Sequence, residues 1–321
     1  MLESPHSLRD STEMNNDPFS DIIKLTEAQS MVTGGFTAGG RWALRFPAPD
    51  KIKFFAIVKG SCWVILDGEP APVHFSTGDV GLLSAKRSFI LASDPDVEPI
   101  DAMSVFNGAD KPHDPIGEGD DFGHIGGHIL LNPTSGKLLM HVLPPWIHIP
   151  ASSDQAASFR WLLDQLVQER RHAQAGSHLA SAQLAQLLFI HILRAHLQTR
   201  NVLSSGWLRI LADKRLTPAL QLIHGDPARN WHLEELAKSC AMSRTTFAEN
   251  FRTIAGMTPI AYLTQWRIRL AERALSESAD PIAVVADALG YASVSTFSNV
   301  FKRETGMTPT VWRQAARPSS S

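Results

Sequence analysis

The segment FKRETGMTP, residues 301–309, is a near copy of FRTIAGMTP at 251–259. The likeness extends upstream, where Ser243, Thr246, Phe247 and Phe251 have counterparts in Ser293, Thr296, Phe297 and Phe301. A solenoid needs about three or more units to bury a continuous core, so two copies mean a pair of similar small modules. Each reads as helix, tight turn, helix. LEELAKSCAMSRTTFAENFRTIAG turns at Cys240-Ala241-Met242 and restarts at Ser243, a residue type whose hydroxyl caps helix starts. AVVADALGYASVSTFSNVFKRETG turns at Gly290 and restarts at Ser293. Ala237 and Ala286, just before the turns, are offset by 49 residues and the caps by 50, so one residue is inserted in the second turn.

Between the copies runs TPIAYLTQWRIRLAERALSES, with Thr258 as cap, Pro259 at the first helical position and no internal breaker. Roughly 20 residues at ~1.5 Å each make a rod of about 30 Å, close to the ~34 Å of one turn of B-DNA. The second helix of such a unit is the one that enters a major groove. The duplication therefore reads as one chain reaching two successive grooves of a bipartite site. Charge agrees through its placement. Residues 217–321 hold 11 Lys and Arg against 9 acids, net +2, and the remainder 19 against 23, net −4. Arg244, Arg252, Arg267, Arg269, Lys302, Arg303 and Arg313 sit around the repeated segments.

Upstream the character differs. From about Arg41 to Val142 the segments KIKFFAIV, SCWVILDG, DVGLL, SFILA and GGHILL are short, rich in β-branched and aromatic residues and separated by turn signals, which predicts a β sandwich or barrel. After LPPWIHIP come two helical stretches. One places Phe159, Leu162, Leu163, Leu166 and Val167 on a face; the other carries a wide stripe of Leu184, Leu187, Leu188, Ile190, Leu193 and Leu197. Either the β domain covers the rest of that stripe or a second subunit does. The longest apolar run, LAQLLFIHIL, is far short of the ~18 residues of a membrane-spanning helix, and the polar, acidic N-terminus does not read as a signal peptide. The expectation is a cytoplasmic protein with no membrane partner. Cys62 and Cys240 form neither a disulfide framework nor a zinc signature; both read as buried small hydrophobes, with a redox role for Cys62 as the alternative.

Residues 217–316, on LAKSCAMSRTTFAENFRTIAGMTPIAYLTQWRIRLAERAL and VADALGYASVSTFSNVFKRETGMTPTVWR, resemble the DNA-binding domain of the AraC family of bacterial transcription regulators. The stretch from FAIVKGSCWVILDGEP and TGDVGLLSAKRSF to LPPWIHIP and LLDQLVQERR is similar to the cupin-type sensor found in one branch of that family. The resemblance implies an α+β chain: a disordered lead at 1–20, a cupin-like β-barrel sensor at 21–150, dimerisation helices at 151–202, a linker at 203–216, a double helix-turn-helix domain at 217–316 and a disordered tail at 317–321. It implies recognition helices at 243–254 and 294–304. Family positions that face bases fall on Arg244, Thr245, Ala248, Glu249, Val294, Ser295, Ser298 and Asn299. Glu249 and Asn299 stand where the family often has arginine; Asn can pair with adenine and Glu can accept from cytosine. Arg252, Lys302, Arg303 and Arg313 are assigned to phosphates, which position without reading sequence.

Cupin enzymes commonly hold a metal through an HxH pair, a carboxylate and a later histidine. The β region has no HxH, Phe89 stands where cupin sensors often place a histidine, and His74, His113, His124, His128 and His141 show no ligand spacing. His124 and His128 share one strand face, but two imidazoles are an incomplete site. No metal or other cofactor is expected. Trp42, Phe54 or Phe55, and Trp63 are candidates to line a small-ligand pocket, with strand alternation putting one of each adjacent pair inside. The expected function is a homodimeric regulator, an activator, that binds double-stranded promoter DNA, contacts RNA polymerase and responds to an unidentified small effector. The rivals are a cupin-type metal enzyme with an accessory DNA-binding domain and a DNA-repair methyl acceptor; the latter needs a reactive cysteine cluster that Cys62 alone does not supply.

Overall fold

The computed structural model describes residues 17–106, 116–132, 136, 139–140, 143–172, 174–198 and 206–316. The chain forms two compact units that are not separated by a single cut. Residues 28–130 and 143–199 make one; residues 1–27, 131–142 and 200–321 make the other.

The first unit is a two-sheet β barrel with a helical pair. Its strands are β1 (Gln29–Gly39), β2 (Ala43–Phe46), β3 (Ile52–Lys59), β4 (Ser61–Leu66), β5 (Val73–Ser76), β6 (Val80–Leu83), β7 (Phe89–Ala92), β8 (Ile100–Asp101), β9 (Ile116–Gly117), β10 (Phe122–Leu130) and β11 (Trp146–Ile149). One sheet has the order β11-β6-β3-β10-β1-β9 and the other β5-β4-β7-β2-β8. Alternation decides what faces inward. Phe55 and Ile57 of β3, Cys62, Val64 and Leu66 of β4, and Phe36 and Ala38 of β1 share one buried core with Trp42, Phe46, Phe89 and Phe122.

Sequence patterning missed β1, because QSMVTGGFTAG carries glycines that lower strand propensity. The glycines are there for space: a Cβ on Gly35 would lie 2.2 Å from the His124 carbonyl oxygen of the neighbouring β10, and one on Gly39 2.3 Å from the Glu118 carbonyl. The same unit carries the helices Ala156–His172 and Ser177–Gln198. The second packs on β1, where Ser30 Oγ donates to Gln186 Oε1 at 2.9 Å.

Among the described residues, the regular structure of the second unit is helical. In chain order its helices are α1 (Pro18–Leu25) and, after the short α2 (Ala102–Val105) and the helical pair α3 (Ala156–His172) and α4 (Ser177–Gln198) of the barrel unit, α5 (Trp207–Ala212), α6 (Thr217–Gly225), α7 (Leu233–Ser239), α8 (Arg244–Ala255), α9 (Pro259–Glu277), α10 (Ile282–Ala288), α11 (Val294–Thr305) and α12 (Pro309–Ala316). Phe247, Phe251, Phe297 and Phe301 are fully buried in one core together with Tyr262 and Trp266 of α9.

Two sequence-based boundaries move. The segment 203–216 is not a linker where it is described: Ile210 and Leu216 are fully buried in the helical core, and the Gly206 N–H donates to the Ile254 carbonyl at 3.0 Å. The cut at residue 20 falls inside α1, which belongs to the helical unit, with Ile22 and Leu25 in its core. Asp17 caps α1 by accepting from the Phe19 N–H. From α1, Asp21 reaches His224 Nδ1 at 3.3 Å, while His224 Nε2 meets the Tyr262 hydroxyl at 2.9 Å and the imidazole stacks on Trp266 at 3.9 Å. An isolated polar residue in a run of sequence gives no sign of such a partner 203 positions away.

Candidate nucleic-acid interface and barrel interior

Both helix-turn-helix units are built by the same local devices. Ser243 Oγ accepts from the Thr246 N–H at 3.2 Å and Ser293 Oγ from the Thr296 N–H at 3.1 Å, fixing where each second helix begins. Gly256 and Gly306 end those helices in the left-handed conformation, at φ of 74° and 80°. In the turns, the Met242 N–H bonds the Ala237 carbonyl and the Tyr291 N–H the Ala286 carbonyl, both at 3.0 Å. The register of these bonds places the inserted residue after Tyr291, at Ala292. Ala241 and Gly290 both take positive φ, 52° and 75°. Gly290 has a second constraint: a Cβ there would stand 1.9 Å from the Ala228 carbonyl oxygen.

On the outer faces of α8 and α11, Arg244, Thr245, Glu249, Val294, Ser295 and Asn299 are exposed, and Ala248 and Ser298 half-buried. Arg252, Lys302 and Arg303 are exposed beside them. Arg244 pairs with Glu234 at 3.1 Å and Arg303 with Glu304 at 2.9 Å, both on the surface, where such pairs are worth about 0–1 kcal/mol and exchange readily for another anion. Three cations of the sequence pattern are otherwise engaged. Arg267 is buried and gathers the carbonyls of Pro227, Ala228 and Arg229. Arg269 is held by both oxygens of buried Glu272 at 2.8 and 2.9 Å. Arg313, assigned to phosphate from the sequence, donates to the Asp280 carbonyl and ties α12 to the turn before α10.

The barrel interior separates the pocket candidates. Trp42 is inside, 4.6 Å from Phe122 and 5.6 Å from Phe36 by ring centroids. Phe55 is inside as well. Phe54 points to the opposite face of the sheet, its ring 2.6 Å from where a Cβ on Gly127 would be. Trp63 also faces outward, edge-on to His74 at 5.0 Å, because its neighbours Cys62 and Val64 take the inward positions. Burial pushes the Cys62 thiol up to about 12, so it is protonated and shielded at neutral pH; that environment does not support the redox reading.

Two polar side chains share the interior with these rings. Lys53 has the same strand parity as Phe55 and Ile57, and its Nζ lies 4.7 Å from the Phe46 ring centroid and 5.2 Å from that of Phe89. Burial lowers its ammonium to about 8. On β10, His124 pairs with Ile57 and His128 with Lys53. His124 is 9% exposed, lies 5.0 Å from Phe36 and 6.0 Å from Phe55, and neither ring nitrogen has a hydrogen-bond partner. Burial first, then the charges of Lys53 and Arg170, bring it down to about 3, so the ring is neutral. A buried polar atom left without a partner costs about 1–3 kcal/mol. Sequence reasoning noted the shared face of His124 and His128 and passed over Lys53, whose alternation with Phe55 was the available signal. His113 and His141 lie outside the described residues. Among the described residues no group of three or more His, Cys, Asp or Glu could hold a metal ion, and no helix is long and apolar enough to cross a membrane.

Comparison with known proteins agrees with this architecture. The sequence matches the cupin family over residues 17–198 and a helix-turn-helix domain over residues 236–315. It is 40% identical over 298 residues to a putative AraC-like transcription regulator of Streptomyces lividans, covering 93% of this chain and 98% of that one. It is 32% identical to the RCS-specific HTH-type transcriptional activator RclR of Escherichia coli K12, over 57% of this chain and 65% of that one. A crystal structure of the AdpA DNA-binding domain in complex with a target DNA is 28% identical, covers 33% of this chain and 95% of that one, and has a TM-score of 0.31. These relatives are regulators and not enzymes. A cupin domain joined to a paired helix-turn-helix domain, with this identity across nearly the whole length, makes the chain a member of the AraC family of DNA-binding transcription regulators.

Proposed function

We propose that the protein is a cytoplasmic, homodimeric transcription activator that reads a bipartite promoter site, contacts RNA polymerase and changes its output when a small molecule enters the barrel. The observation that carries the reading is the pair of equivalent helix-turn-helix units, each presenting an exposed second helix and joined by the uninterrupted α9. At about 1.5 Å per residue α9 is about 28 Å long. An activator role is supported by the name of the E. coli relative. Self-association is supported by Leu179, Leu187 and Trp161 on α4 and α3, which are 67%, 38% and 55% exposed.

Base reading is assigned to Arg244, Thr245, Ala248, Glu249, Val294, Ser295, Ser298 and Asn299, and phosphate contact to Arg252, Lys302 and Arg303. The test is genome-wide mapping of bound DNA followed by binding measurements on the recovered site and on random DNA. Asn299→Ala is expected to lose about 1–3 kcal/mol at one or two base positions. Lys302→Ala is expected to weaken all sequences alike and lower the salt slope by about one. Equal losses for Asn299→Ala on specific and random DNA would overturn its assignment.

A further inference from the structure

We infer that the two helix-turn-helix units read unlike base pairs: α8 a G·C element through Arg244 and Glu249, and α11 an A·T element through Val294 and Asn299. This rests on the DNA reading proposed above and names the bases that it would select.

The two copies keep their framework and exchange their outward residues. The caps Ser243 and Ser293, the buried phenylalanines and the closing glycines correspond one to one. Counting from the caps sets Arg244 against Val294, Thr245 against Ser295, Ala248 against Ser298 and Glu249 against Asn299. Arg244, Glu249, Val294 and Asn299 are all exposed, on the first two turns of their helices, and it is the N-terminal residues of such a second helix that meet base edges in a major groove. The difference reaches back into the preceding helices. Glu234 of α7, three residues before Ala237, pairs with Arg244 at 3.1 Å; its counterpart, three residues before Ala286, is Ala283, exposed on α10. One copy thus carries an exposed ion pair where the other carries an alanine and a valine that is 42% exposed.

Each set of side chains suits a different pair. A guanidinium donates to guanine O6 and N7 and a carboxylate accepts from cytosine N4, whereas a carboxamide pairs with adenine N6 and N7 and an aliphatic group packs on the thymine methyl. The carboxylate of Glu249 also rejects guanine and thymine, whose major-groove edges present acceptors. The Arg244–Glu234 pair is a weak surface contact, so the guanidinium is available to a base. Thr245 and Ser295 suit either pair, and Ala248 and Ser298 are short and half-buried. With no charge among Val294, Ser295, Ser298 and Asn299, α11 takes its selectivity from a methyl contact and a carboxamide.

The experiment selects sites for the full-length protein from a random double-stranded DNA pool. Affinities for the recovered site are then measured with wild type, Arg244→Ala, Glu249→Gln, Val294→Ala and Asn299→Ala. The expected site holds, for each bound copy, a G·C element and an A·T element about one helical turn apart. Replacing the G·C pair should cost wild type about tenfold and Arg244→Ala nothing further. Replacing thymine by deoxyuridine in the other element removes only the methyl; it should cost wild type about fourfold, one methyl group's worth of burial, and Val294→Ala nothing further. Because wild type is tested on altered DNA, these losses do not depend on how well a variant folds. Glu249→Gln should relax the G·C element alone and Asn299→Ala the A·T element alone. Two elements of the same composition, deoxyuridine without effect, or Arg244→Ala relaxing the A·T element would overturn the division of labour while leaving base reading by these helices standing. A pool from which no sequence is enriched would overturn the base reading itself, and this inference with it.

Discussion

At the scale of single residues, a repeat need not make its two copies equally tolerant. Gly290 and Gly306 both take positive φ, near 75° and 80°, yet a Cβ on Gly306 meets nothing within 4 Å whereas one on Gly290 strikes the Ala228 carbonyl. Gly306→Ala is therefore expected to cost only the left-handed penalty of about 1–2 kcal/mol. Gly290→Ala should cost clearly more, because the backbone of 227–229 held by Arg267 must also move; equal urea midpoints for the two variants would contradict this. Lys53 makes a pH prediction. Its ammonium is lowered from 10.5 to about 8 in the folded state by burial. Below about pH 8 both states hold the proton and the full cost of burying the charge is present. Between about 8 and 10.5 the unfolded chain holds more protons than the folded one, so stability contributed at this site rises with pH. Lys53→Met should thus be more stable than wild type by about 3 kcal/mol at pH 7, and the gap should shrink as pH rises toward 10. A gap that stays constant would place the ammonium in water.

At the scale of elements, the barrel unit covers part of the stripe on α4 and leaves Leu187 outside it. Ala185, Leu188, Phe189, Ile192 and Leu193 are buried within the barrel unit, while Leu187 of the same stripe is 38% exposed. Leu187→Asp is expected to give a folded monomer by sedimentation at micromolar concentration, and Leu188→Asp to unfold the barrel unit; a dimer unchanged by Leu187→Asp would remove this face from the interface. The helices were the legible part of the fold. Ser243, Ser293, Gly256, Gly306 and the Thr258-Pro259 pair are local punctuation, and their meaning does not depend on distant partners. The strands were less legible. β1 hides behind glycines whose reason is the close passage of β10, and the inward choice between Phe54 and Phe55 follows from pairing that only the folded sheet fixes. The outer faces of α8 and α11 could be placed from the repeat, but Arg267, Arg269 and Arg313 could not be told from free cations. What engages them are carbonyls and a carboxylate brought in by other helices or turns, or by burial of the same helix.

At the scale of the whole molecule, the chain passes between its two units repeatedly, at 27/28, 130/131, 142/143 and 199/200. The first crossing joins α1 directly to β1. One short segment thus ends in the core of the helical unit, through Ile22 and Leu25, and continues into the barrel interior, through Phe36 beside His124. A helical fragment cut at the start of the family-like region, Leu216–Ser321, would discard α1 and α5. It would lose the fully buried Ile210 together with Ile22 and Leu25, each worth about 1.5–3 kcal/mol of burial, and it would leave His224 without Asp21. Against a typical domain stability of about 5–15 kcal/mol, that loss is decisive. A fragment beginning at Gly206 regains α5 with Ile210 but not α1, so the Leu216 fragment is expected to unfold at a lower urea concentration than it by the share of the loss that α5 carries. A peptide of residues 17–27 added to either fragment should raise its midpoint, by mass action on the folded state. Urea titrations followed by tryptophan fluorescence compare the fragments with and without the peptide. Identical midpoints for both fragments, unmoved by the peptide, would mean that α1 and α5 decorate the DNA-binding unit without supporting it.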